Sequence, residues 1–164
     1  MTVLRRLVLA LLFVAIPLSH AVAAPPLRLR LLNNSDWDLT FDVTNLTGGA
    51  GTDFPADIES PDGQQELWIQ NSTGNWRIDV SRLDATWDAG IRIYVKRTSA
   101  GNAGTVSGGT AYQEITAPYG EFFTGTGDPR YITLQFMTNG AFAGEGVPSG
   151  SYSTTVTYTV TDNL

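Results

Sequence analysis

The chain has 164 residues, no cysteine and one histidine, and sets ten lysines and arginines against 16 aspartates and glutamates, a formal charge of −6. An acidic chain with a single lysine, Lys96, is a poor partner for nucleic acid or anionic membranes. Without cysteine, no disulfide steadies it.

The first element is a leader. Arg5 and Arg6 precede an apolar run, Leu7 to Leu18, that is too short to span a bilayer comfortably. Ala21-Val22-Ala23 then supplies a small-x-small cleavage pattern. Residues 1–23 are expected to be a Sec signal peptide, with Ala24-Pro25-Pro26 as the mature start and a cut after Ala21 as the second choice. The adjacent arginines lack the rest of a twin-arginine signal. Removing 23 of 164 residues leaves 141, one domain over 24–164, and leaves eight basic against 16 acidic residues, a net of −8. A chain of that size buries about two-thirds of its unfolded surface, enough for a core without staples. No second apolar run of membrane length follows, so no membrane insertion is expected after cleavage. No lipidation cysteine or sortase-type tail follows Thr161. The expected location is secreted, periplasmic or on the cell surface, held there non-covalently.

After the leader, strands and turns follow with hardly a helix. Leu27, Leu29 and Leu31 alternate with Arg28 and Arg30, and Asn33-Asn34-Ser35-Asp36 is turn chemistry. Trp37, Leu39, Phe41 and Val43 alternate with Asp38, Thr40, Asp42 and Thr44, which predicts a strand paired with its predecessor. Residues 45–65 read as a long loop with a short strand near Ile58. Strands are predicted at Leu67-Trp68-Ile69, Trp76 to Val80 and Ile91 to Lys96, and residues 98–110 as an exposed hairpin connection. Short strands follow at Tyr112 to Thr116 and Glu121 to Thr124, then a turn at Gly125 to Pro129. Ile132, Leu134 and Phe136 alternate with polar neighbours. The last stretch, Tyr152 to Thr161, puts Tyr152, Val156, Tyr158 and Val160 on one parity and Ser153, Thr155, Thr157, Thr159 and Thr161 on the other. Eight to ten short strands at this spacing predict one antiparallel sandwich or barrel, with an immunoglobulin-like β-sandwich as the expected form. Parallel sheets need crossover helices and continuously apolar strands, and neither is visible.

The absences limit the chemistry. The sole histidine, His20, lies in the leader, so the mature chain has neither imidazole nor thiol. Ser-His-Asp and Cys-His catalysis lack their base, and zinc and copper lack their usual ligands. No glycine-rich loop joins a strand to a helix, so nucleotide binding has no support. Paired carboxylates remain, but Asp38, Asp42 and Asp79 simply flank apolar positions and read as a solvated acidic face. No enzyme is expected, and no cofactor. Calcium is the one ion to weigh, because Asp53, Asp57, Glu59 and Asp62 crowd one loop and Asp84 and Asp88 another. Neither group follows an EF-hand pattern. The sequons at Asn33, Asn45 and Asn71 are of a kind that Asn/Ser/Thr-rich turns produce by chance.

Aromatic faces can stack on sugars, and parity tests that use. Trp37 and Trp76 share phase with apolar neighbours and read as core, and Trp87 joins Ile91 and Ile93 if that strand begins early. Trp68, between Leu67 and Ile69, points outward, as does Tyr94 between Arg92 and Lys96. These two are the candidate ligand or partner contacts.

The ending "PSGSYSTTVTYTVT" resembles that of bacterial pilin-like and spore-coat-U-like subunits. It is also similar to the WxL cell-wall-binding domains, whose internal strand is matched by "TGNWRIDV", Thr73 to Val80. Asn75 and Ile78 differ from that motif, and the final strand carries no tryptophan. The resemblance implies a bacterial surface protein of structural or adhesive role, working through protein contacts or self-assembly. Polysaccharide binding through Trp68 and Tyr94 is the alternative. The final strand either closes its own sandwich or leaves a gap filled by a neighbour's Leu27, Leu29 and Leu31.

Overall fold

Alternation decides where most strands run. The computed structural model describes residues 24–42, 44, 46–48, 57–139 and 147–162, so the leader, Val43, Asn45 and Asp53 lie outside the described residues. In Arg130–Asn139, for example, Ile132, Leu134, Phe136 and Thr138 are buried while the residues between them are not. The strands are β1 (Arg28–Asn34), β2 (Asp57–Glu59), β3 (Gln65–Gln70), β4 (Asn75–Thr86), β5 (Ile93–Arg97), β6 (Thr105–Gly108), β7 (Gln113–Glu114), β8 (Gly120–Thr126), β9 (Arg130–Asn139) and β10 (Ser153–Asp162).

They form an all-β sandwich of two antiparallel sheets. One sheet runs β1-β3-β9-β5-β7, with β2 added beside β9; the other runs β10-β4-β8-β6. From β3 onward every consecutive strand changes sheet, so neighbours in sequence face each other across the core and do not pair. The core lies between the inner faces. Leu67, Ile69, Ile93, Val95, Ile132, Leu134 and Phe136 come from the first sheet, and Trp76, Ile78, Val80, Phe122 and Phe123 from the second.

Two expectations need correction. Residues 35–42 form no strand and do not pair with β1; β1 pairs with β3, Leu29 opposite Ile69. The alternation there serves packing instead. Trp37 stacks on Phe136 with ring centroids 6.1 Å apart and planes at 17°. Gln64 Nε2 holds the segment by donating to the Ser35 and Asp36 carbonyls, each at 3.1 Å. Residues 98–110 do join antiparallel neighbours, β5 and β7, but not as a plain hairpin connection. They cross to the opposite sheet and contain β6, which pairs with β8. The strand expected near Ile58 is present as β2, and Trp87 packs against the core, donating its indole N–H to the Ile91 carbonyl at 2.9 Å.

Arg97 straps the two sheets. Its backbone belongs to β5, yet its Nε and Nη2 donate to the Gly108 carbonyl of β6 at 3.0 and 2.8 Å. The guanidinium lies over Phe123, 5.9 Å from the ring centroid. The residue is buried, and burial holds its pKa below the usual value. Arg97→Ala removes two charge-assisted bonds and the stem's packing, and is expected to cost about 2–3 kcal/mol. A lower urea midpoint at unchanged slope would be the sign; Arg97→Lys, lacking the planar fork, should recover only part of the loss.

Candidate functional site

The outer face of the six-stranded sheet carries Arg30, Lys96 and Arg130 together with Trp68 and Tyr94. The register of three strands builds its first centre. Arg30 of β1 lies opposite Trp68 of β3, and Trp68 lies opposite Arg130 of β9. The half-buried indole therefore has a guanidinium from the strand on either side, 5.4 Å and 4.8 Å from the ring centroid. Arg130 also lies over Tyr131, at 4.6 Å. The four side chains form a ladder, Arg30–Trp68–Arg130–Tyr131.

A local irregularity presents the end of that ladder. Leu67 pairs with Ile132 but Trp68 pairs with Arg130, so Tyr131 is the additional residue of a bulge. Its φ is +65°, a left-handed conformation uncommon for a bulky residue. The bulge leaves the Tyr131 side chain 43% exposed at the rim of the face. Strained, non-glycine backbone of this kind collects at binding sites.

A second centre surrounds Glu59. Tyr112 donates its hydroxyl to Glu59 Oε1 at 2.9 Å, and Lys96 Nζ lies 3.8 Å from the same oxygen. Gln135 Nε2 donates to Glu59 Oε2 at 3.3 Å. Lys96 also caps the Tyr112 ring, 4.3 Å from its centroid. Tyr94 sits beside this group, opposite Glu114 and Met137, and Arg92 reaches Glu114 at 3.7 Å.

Both predicted contacts, Trp68 and Tyr94, are half-buried on this sheet, but the fold does not bring them together. Trp68 lies opposite Arg130 and Tyr94 opposite Met137, seven positions further along β9 (137 − 130). At ~3.3 Å per residue they are about 23 Å apart, too far to line one small ligand. Arg30, Arg130 and Tyr131 were missed from sequence. The outward parity of Arg30, beside Leu29, was the one local signal.

Four of the acids weighed for calcium are otherwise engaged. Glu59 serves the network above, Asp62 accepts from Thr98, Asp84 accepts from Thr154 and pairs with Arg82, and Asp88 caps the Gly90 N–H. Among the described residues no group of three or more histidine, cysteine or acidic side chains is placed to hold a metal.

Two tyrosines couple the fold to alkaline pH. Burial, and after it the bond to Glu59, pushes the Tyr112 phenol above its ordinary value near 10; burial alone raises Tyr158. The neutral forms are favoured by folding, so their contribution is complete below pH ~10, where unfolded tyrosine begins to ionise. It is lost as pH rises further. Unfolding midpoints should therefore fall steeply above pH ~10, in step with phenolate absorbance, and Tyr112→Phe/Tyr158→Phe should flatten that fall.

Compared with known proteins, no family model, curated protein or solved structure matches the chain.

Proposed function

We propose that the protein is an exported, non-catalytic structural or adhesive protein of the bacterial cell surface. It acts by protein–protein contact, through the outer face of the six-stranded sheet around Trp68, Arg130 and Tyr131. The observation that carries this reading is the ladder itself. Tryptophan, tyrosine and arginine are the residues that dominate the binding energy of protein interfaces, and here they stand in one row on an open sheet. Each guanidinium–ring contact contributes ~0.5–1 kcal/mol at an exposed site, so the row is pre-ordered and little side-chain entropy is left to lose on binding. The same contacts weigh against a sugar platform. A pyranose stacking on Trp68 would compete with arginines already placed beside the indole. The absence of histidine and cysteine from residues 24–164 supports a non-catalytic role.

A photo-crosslinking amino acid placed at Tyr131, in the cells that make the protein, tests this directly. Adducts of defined protein mass are expected, and the same probe at Leu83, on the opposite sheet and 72% exposed, should not give those adducts. Trp68→Ala or Arg130→Ala should weaken the captured interaction about tenfold or more. A saturable blue shift of tryptophan fluorescence with cell-wall polysaccharide, without protein adducts, would transfer the role to carbohydrate binding. Intact mass of the exported form should correspond to a start at Ala24 or, second, Val22.

A further inference from the structure

Among the described residues five strands have one side unpaired, and four are blunted. β2, beside β9, has only three residues. β1 carries Arg28 and Arg30 and a register shift between Leu31 and Asn33. β7 has two residues, and β6 has four, ending at Gly108 with φ +87°. Arginines, bulges and short length are the means by which sheets keep their edges from pairing with other chains. β10 has only a register shift at its very start, between Ser153 and Thr154, and is regular from there to its end. It is ten residues long, without lysine, arginine, proline or glycine, and its only acid is the terminal Asp162. One side pairs with β4 from Ser153 to Asp162; among the described residues no strand pairs with the other.

The sequence of that edge reads the same in both directions. Thr155-Val156-Thr157-Tyr158-Thr159-Val160-Thr161 is a palindrome centred on Tyr158. An antiparallel pairing of two such strands about a two-fold axis at Tyr158 sets Thr155 opposite Thr161, Val156 opposite Val160 and Thr157 opposite Thr159. Threonine faces threonine on the outer surface, and β-branched valine faces valine on the inner one, both favourable cross-strand pairs. Tyr158 meets its own copy. Its hydroxyl is buried without a hydrogen-bond partner within the chain, and a second tyrosine hydroxyl can donate to it or accept from it.

We infer that β10 pairs with β10 of a second copy of this chain, joining two four-stranded sheets into one of eight strands. The contact is isologous and uses the open edge of both copies, so assembly stops at a dimer and does not run on into a filament. The inference does not depend on the proposed surface role, and the ladder on the opposite sheet stays accessible in the dimer.

The test uses residues 24–164. Light scattering after size exclusion should give a mass that rises to twice the chain's with concentration. Thr157→Lys/Thr159→Lys places lysines opposite each other across the axis, and should weaken the dimer about tenfold or more while the monomer stays folded. Register is read with cysteine, which the chain lacks. In the proposed register Thr157 of one copy faces Thr159 of the other, within disulfide reach, whereas two Thr157 residues are ~8 Å apart and out of reach. Mixing Thr157→Cys with Thr159→Cys should therefore give a disulfide dimer containing one of each, and either variant alone should give little. A monomer at every attainable concentration overturns the inference. So does a dimer that survives the lysine variant, or one that crosslinks equally well from either cysteine variant alone.

Discussion

A chain ending at Gly150 is expected to show no cooperative unfolding transition. The deletion removes β10, whose Val156, Tyr158 and Val160 pack half-buried against the core. Full burial of one such side chain stabilises by ~1.5–3 kcal/mol, so three partly buried ones contribute ~3–6 kcal/mol together. Domains of this size are stable by only ~5–15 kcal/mol. The deletion also exposes β4 along its pairing from Trp76 to Thr86 and leaves it as an open edge. Circular dichroism through a thermal ramp is the measurement. A sharp melt in the truncated chain would mean that the other nine strands hold the core by themselves.

The second large effect is expected at Trp76, which is 0% exposed. Its indole N–H donates to the Gly127 carbonyl at 2.8 Å, and its ring meets Phe123 edge-on at 6.1 Å. The neighbouring strand leaves room for it only through Gly125, where an added Cβ would lie 2.4 Å from two ring carbons. Trp76→Ala should cost ~3–5 kcal/mol through the cavity, with the lost hydrogen bond included in that range. Trp76→Phe, which refills much of the volume, should cost less. Gly125→Ala attacks the same contact from the other side and should cost ~1–3 kcal/mol through overpacking. Urea unfolding of the three variants, ranked in that order, is the check. Equal losses for Trp76→Phe and Trp76→Ala would place the energy in the hydrogen bond and not in the packing.

How far the sequence could be read follows from which interactions are local. Ile132, Leu134 and Phe136, or Val156, Tyr158 and Val160, announce their strands because each parity meets one environment throughout. Trp37 and Leu39 alternate just as well, yet Trp37 packs against the core from a loop and Leu39 is 39% exposed. Period two records which side faces inward, and says nothing of whether a partner strand exists. β6 escaped for the opposite reason: Val106 is its only large apolar residue among Thr105, Ser107 and Gly108. At the candidate site, the outward direction of Trp68 was legible from Leu67 and Ile69. Its enclosure was not, because Arg130 arrives from a strand distant in sequence and a bulge sets it opposite the indole. Leu31 shows the same limit. It keeps phase with Leu29, but the register shift that follows it leaves it 40% exposed.

The strand-by-strand change of sheet has a consequence for how the chain reaches this state. After β3 no sheet pair can be made by folding a hairpin, so each rung must close a long loop before any pairing compensates it. β4 is the extreme case, since one of its two neighbours is β8 and the other, β10, is the final strand. On a ribosome, or on emerging from a translocation channel, β1 and β3 can pair early, but β3 still lacks β9 on its other side and β4 lacks both of its neighbours. Refolding is therefore expected to be slow for a chain of this length, in the range of milliseconds to seconds typical of all-β topologies. Through that interval β3 and β4 remain open to other chains, and a factor that shields extended segments would raise the yield of folded protein without altering its final stability.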